Sequence, residues 1–203
     1  VGWLCSTRKH DQPDSGRWTG WIGSDLSRDP VIIEAKRVLG EIMSDYGVDL
    51  IAGRSLEPVG DAALAVFVNH GVKGSFDEIR SVTDGEDHLG SGEMARVFGD
   101  CSCVILCVCH GAASITEIGA RENQGMVAAL LASGVRAVVA APWTVSVDVL
   151  EYWLPEFLDA ARKGCCVGDA AFAASRAVSS RFRCTLEWAR MQVYGDPLLK
   201  LQR

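Results

Sequence analysis

The sequence predicts an α/β domain with a mainly parallel sheet of about six strands and helices on both faces. Three observations carry that expectation. Residues 62–68, 103–108 and 135–141 are nearly unbroken apolar runs of strand length, the pattern of strands buried on both faces. Segments of helical period separate them, and strands alternating with helices call for right-handed crossovers. The chain has 203 residues, 48% of them hydrophobic, enough for one domain with a substantial core.

Each element follows in order. Residues 1–6 are short and apolar and read as a first strand. Residues 7–29 are polar and rich in Gly, Asp and Arg, a loop long enough to carry function. Residues 30–46 read as an amphipathic helix, with Ile32, Ala35, Val38, Leu39, Ile42, Met43 and Tyr46 at helical spacing. Asp29 serves as its N-cap and Pro30 as its first residue. Gly47 ends it, and 48–52 is a short strand. The buried run 62–68 follows. Residues 71–90 are polar and acidic, a surface loop with one helical turn. A short helix over 91–98 leads into the strand 103–108, and 111–123 is a second loop. Residues 124–133 form a helix capped by Gly134, and 135–141 the third buried strand. Helices are expected over 147–163 and 168–179, and a last strand over 190–194, closed by Gly195-Asp196-Pro197.

Composition excludes several functions. The formal net charge is −6, and no Lys/Arg run or aromatic-basic stripe occurs, so no nucleic-acid contact is expected. No stretch approaches the ~20 apolar residues of a membrane span. The N-terminus lacks Met, a basic region and a cleavage site. It reads as the start of a single domain excised from a longer multidomain protein, without a signal peptide. Four of the eight cysteines, Cys101, Cys103, Cys107 and Cys109, share one apolar strand. Neighbours at that spacing on an extended segment do not pair with each other, so free buried thiols in a reducing cytoplasm are expected.

Two strands end in reactive side chains followed by glycine: Val66-Phe67-Val68-Asn69-His70-Gly71 and Val108-Cys109-His110-Gly111. In an open parallel sheet the ligand crevice lies at the carboxyl ends of the strands. An imidazole and a thiol over one crevice are the minimum equipment of a cysteine hydrolase. By itself, each residue has a bland reading, Cys109 as a small core residue and His70 as a turn residue. Their pairing favours nucleophile and base, since imidazole takes a proton near neutrality. Gly71 lets the backbone approach a bound peptide, and its N–H is a candidate oxyanion donor. His110 follows the cysteine directly, so on a continuing strand it points to the opposite face and lines the pocket instead. His10 and His88 fall in polar loops and read as solvated. The cysteine spacing matches no zinc site, because a strand core separates the pairs. No phosphate loop, dinucleotide fingerprint or serine elbow is present. No cofactor or metal is expected.

The order strand-His-Gly, acidic loop, helix, strand-x-Cys, Gly-containing loop and small-residue helix, then Ala132-Ser133-Gly134-Val135-Arg136-Ala137-Val138-Val139-Ala140-Ala141-Pro142-Trp143-Thr144-Val145, resembles the CHAT domain, a caspase-like protease module. The closing Trp188-Ala189…Gly195-Asp196-Pro197 is similar to that family's ending, and the match runs over residues 32–199. The resemblance implies a caspase-like three-layer sandwich and a cysteine endopeptidase working through a Cys–His dyad. His70 takes the base, Cys109 the nucleophile, and the N–H groups of Gly71 and Cys109 the oxyanion hole. The sequence departs from the family where Cys107-Val108 replaces Ser-Ala, where His110 stands at a position often acidic or polar, and where Asp148 alone remains of an acidic run. Asp25, His110, Trp143 and Asp148 are the candidate substrate-binding residues. Asp25 and Asp148 also read as ordinary surface or capping carboxylates, and an apolar pocket lined by Trp143 is an open alternative. A protein substrate and a regulatory partner or flanking repeat domain are expected. Two other classes stand beside this reading: a catalytically silent caspase-like scaffold or sensor, and a flavodoxin-like ligand-binding domain.

Overall fold

The computed structural model describes residues 16–23, 30–51, 57–69, 71–73, 79–83, 87–108, 125–182 and 189–202. In chain order the elements are β1 (Trp18–Ile22), α1 (Pro30–Asp45), β2 (Asp49–Leu50), β3 (Ala62–Val68), β4 (Gly71–Lys73), β5 (Ile79–Thr83), β6 (Asp87–Leu89), α2 (Ser91–Phe98), β7 (Cys101–Cys107), α3 (Met126–Ser133), β8 (Ala137–Ala140), α4 (Val147–Arg162), α5 (Val167–Arg181) and β9 (Gln192–Gly195).

Six strands form one sheet in the order β2-β1-β3-β7-β8-β9. All its pairings are parallel except β8–β9, where the last strand returns antiparallel along the edge. Side-chain alternation gives the sheet two faces. Leu64, Val66 and Val68 of β3, Cys103, Ile105 and Cys107 of β7, and Ala137 and Val139 of β8 pack with α1, α4 and α5 on what we call the front. Ala65 and Phe67, Val104 and Leu106, and Val138 and Ala140 pack with α2 and α3 on the back. The expected α/β layering with helices on both faces is therefore present.

Two sequence expectations are corrected. The first is the long loop over 7–29, which contains β1, a strand in the sheet interior between β2 and β3. Its signal was masked by Gly20, and that glycine has a packing reason. A methyl group there would sit 2.8 Å from Met43 Sδ and 3.1 Å from Val48 Cγ1, so α1 and the following turn close directly onto the backbone. The expected strand over 1–6 lies outside the described residues, as does the loop over 111–123.

The second correction concerns residues 71–90. No helical turn occurs among the described residues there. Instead β4, β5 and β6 form a small antiparallel sheet, with Gly71 opposite Ser81 and Val82 opposite His88. Strands of three to five residues with few apolar positions in sequence give no period to read. His88 is thus a strand residue rather than a loop residue, and Gly71 opens a strand rather than a turn. The helix α2 begins where expected, with the Gly90 N–H donating to the Glu93 carboxylate at 2.5 Å.

No helix among the described residues is long and apolar enough to cross a membrane.

Candidate active site

The sheet order fixes where a crevice opens. From β1 the chain passes through α1 on the front to β2 at one edge. From β3 it moves the other way, through α2 and α3 on the back, to β7 and β8. The direction reverses between β1 and β3, so connections leaving those two strands diverge to opposite faces. Ligand sites of open α/β sheets lie at such a switch point, beyond the carboxyl ends of the strands.

The carboxyl ends of β1, β3 and β7 are described closely. Ile22 is the register partner of Val68, and Val68 of Cys107. The ladder runs one step beyond each strand. The Gly23 N–H donates to the Val68 carbonyl at 2.9 Å, and the Asn69 N–H to the Cys107 carbonyl at 3.4 Å. Asn69 and Val108, the last described residues of their strands, are both buried. Of the sequence-predicted site residues, Asp25, His70, Cys109 and His110 lie outside the described residues. Gly71 is the first residue of β4, so the chain leaves the large sheet for the small one between Asn69 and Gly71.

Trp143 and Asp148 are both described. Trp143 is half-buried three residues beyond the end of β8, at the same edge of the sheet. The segment after it is tied down by Arg190, whose guanidinium donates to the Thr144 carbonyl. Asp148 is exposed in the first turn of α4, where a carboxylate is favoured by the helix N-terminus. It also bears on Glu151: partial burial, then the Asp148 and Glu34 carboxylates, push the Glu151 carboxyl above its ordinary value. Glu34 of α1 is itself paired with Arg37 at 2.5 Å, so the acidic charge here lies mainly on α4.

The other thiols of β7 are unsuited to nucleophilic work. Burial pushes Cys101 and Cys107 up to about 12, and drives Cys103 upward as well. At neutral pH they stay protonated, and the thiolate is the reactive form. Cys101, Cys103 and Cys107 are free, as their spacing on one strand led one to expect, and so are Cys165 and Cys166. Among the described residues no group of His, Cys, Asp and Glu is arranged to hold a metal ion.

One residue pair went unforeseen. Asn69 lies over Gly23 at the switch point, and nothing in spacing or composition joins them. The only hint is a polar residue closing an otherwise apolar strand.

No protein-family model matches the sequence, and no curated relative matches it. Solved structures do resemble the fold. The Arg-specific cysteine proteinase gingipain R (RgpB) superposes with a TM-score of 0.59 at 13% identity, over 91% of this chain and 47% of its own. The complex of the pro- and mature domains of Porphyromonas gingivalis RgpB gives 0.57 at 14% identity, over 93% and 48%. Separase in the Saccharomyces cerevisiae separase–securin complex gives 0.55 at 18% identity, over 88% and 12%. The chain spans less than half the length of each. At these identities the likeness speaks for the fold: this chain has the caspase-like α/β fold seen in the gingipain and separase structures.

Proposed function

We propose that this chain is a cysteine endopeptidase domain of CHAT type in which Cys109 is the nucleophile and His70 the base. One observation carries the reading: β3 and β7 are adjacent, parallel and in register at their carboxyl ends, with Val68 opposite Cys107. Residues 70 and 109 each stand two beyond that register pair. Each is joined to a described neighbour, Asn69 or Val108, by one peptide of about 3.8 Å between Cα atoms. If the strand alternation runs on past Asn69 and Val108, residue 70 follows Leu64, Val66 and Val68, and residue 109 follows Cys103, Ile105 and Cys107, onto one common face. By the same alternation His110 falls with the back-face residues, in keeping with a pocket role.

The chemistry balances with these groups alone. The Cys109 thiolate adds to the scissile carbonyl carbon, and the N–H groups of Gly71 and Cys109 hold the resulting oxyanion. As the C–N bond breaks, the His70 imidazolium gives its proton to the leaving amine, leaving a thioester. Water then gives a proton to His70 and attacks the thioester, and the C–S bond breaks to return the thiolate. Trp143, Asp148, Asp25 and His110 are proposed to line the pocket for the residue before the scissile bond. Asp148, with Glu151 beside it at the start of α4, favours a basic residue there. A protein substrate follows, and a regulatory partner or flanking domain in a longer protein is part of the same proposal. Relatives of the fold occur in complexes with a pro-domain and with securin.

The test is cleavage of a peptide library carrying Arg, Lys, Leu or Asp before the scissile bond. Wild type is expected to cut, with Arg and Lys preferred, and Cys109→Ala and His70→Ala to be inactive while remaining folded. Cutting by Cys109→Ala would overturn the assignment, and a folded wild type that cuts nothing would favour the silent scaffold.

A further inference from the structure

Asn69 and Gly23 occupy the next register step beyond Ile22 and Val68, on the back face above a stacked ring pair. Trp21 and Phe67 are register partners with ring centroids 5.0 Å apart and planes 5° from parallel. Phe98 closes on Phe67 edge-on at 5.6 Å. Directly beyond these rings the Asn69 carboxamide covers Gly23. A methyl group on Gly23 would lie 2.3 Å from Asn69 Oδ1, 2.5 Å from Cγ and 2.7 Å from Nδ2, distances no real Cβ tolerates. Gly23 is itself anchored twice, by its N–H on the Val68 carbonyl and by Lys36 Nζ of α1 donating to its own carbonyl. Asn69 is anchored on the other side by its N–H on the Cys107 carbonyl.

We infer that Asn69 and Gly23 form a clasp that fixes the exit of β3 and so positions His70 for its partner on β7; the inference rests on the dyad reading above. Three strand ends converge on Asn69: β1 through Gly23, β3 through the chain itself and β7 through Cys107. The connections from β1 and β3 diverge to opposite faces here, and among the described residues no helix covers both exits. A side chain that spans them is the available brace. The carboxamide suits this place because it is flat and short enough to lie on a glycine, and polar enough to sit at the mouth of a crevice. The clasp works on the back face, whereas the alternation carries residue 70 toward the front. Asn69 is therefore a positioning residue that braces the strand from behind, outside the reaction itself. A catalytic group displaced by about 1 Å loses on the order of 10²-fold in rate, so such bracing has consequences.

The test follows iodoacetamide alkylation of Cys109 by peptide mass spectrometry from about pH 5 to about pH 10, the span in which imidazole and thiol titrate. Wild type, His70→Ala, Asn69→Ala, Gly23→Ala and the Gly23→Ala/Asn69→Ala double variant are compared, each with its thermal unfolding curve. Wild type is expected to show a low-pH limb of reactivity that His70→Ala removes. Asn69→Ala loses most of that limb with little change in Tm. Gly23→Ala loses the limb and lowers Tm, because its methyl group collides with the carboxamide. The double variant regains Tm, the collision being gone, without regaining the limb. Gly23→Ala displaces the carboxamide without altering residue 69, so it tests the clasp even where Asn69→Ala unfolds. A wild-type limb that survives in both single variants overturns the clasp and leaves the dyad standing. A wild-type profile with no His70-dependent limb overturns the dyad, and the clasp with it.

Discussion

Val68 and Cys107 face each other as register partners at the carboxyl ends of two parallel strands, and the next amide, that of Asn69, reaches the Cys107 carbonyl at 3.4 Å. The pair marks where the sheet stops and where the proposed chemistry begins. Buried thiols lie on one side of it, and the topological switch point, where ligand sites of open α/β sheets lie, on the other. A chain that paired these strands one residue out of register would send Val68 and Cys107 to opposite faces.

The first prediction concerns thiol selectivity. Cys101, Cys103 and Cys107 are buried and held protonated, so brief alkylation of the native protein at neutral pH should leave them unmodified while Cys109 reacts fast. Mass spectrometry of the digested protein checks this. In denaturant the three buried thiols should label fully.

The same thiols predict an alkaline instability. Each has a higher pKa in the fold than in the unfolded chain, so the unfolded state ionises first as pH rises. Their contribution is intact below about pH 9 and is lost progressively as pH rises toward about 12. Tm measured across the alkaline range should fall, and Cys107→Ala should fall less steeply.

The back-face core should depend on Phe67. It is fully buried between Trp21 and Phe98, and Phe67→Ala removes both ring contacts at once. A loss of about 3–5 kcal/mol is expected from denaturant unfolding. By contrast Arg136→Ala, which breaks the 2.8 Å pair with Asp196, should cost only about 0.2–1 kcal/mol, since both side chains are about one-third exposed.

The β8–β9 edge should fail at Gly195. Its φ is +89°, and a methyl group would lie 2.3 Å from the Arg136 carbonyl oxygen. Gly195→Ala is expected to lower Tm and to speed amide hydrogen exchange in Ala137–Ala140 first. Unchanged exchange there would contradict this account of the edge.

How much of this was legible depended on what each segment buries. Ala62–Val68 and Ser91–Phe98 matched their expected bounds, the strand because both its faces are covered, the helix because its apolar stripe and N-terminal glutamate are local signals. Trp18–Ile22 went unread because Gly20 interrupts its pattern for the sake of Met43. The strands of 71–90 went unread because they are only three to five residues long and carry no period. The His-Gly and Cys segments read as chemistry from the sequence, and residues 70 and 109 lie outside the described residues. That their strands are neighbours is a tertiary fact, and the Asn69–Gly23 contact, made across strands, leaves no trace in either segment.

The central claim is spatial, and bridging two thiols measures it directly. In His70→Cys the introduced thiol and Cys109 should be joined rapidly by a short bifunctional thiol reagent, giving a linked peptide pair 70–109 in the digest, while the wild type gives none. If both positions take up a monofunctional reagent and no linked pair forms, the two side chains do not share an opening, and the protease reading is contradicted.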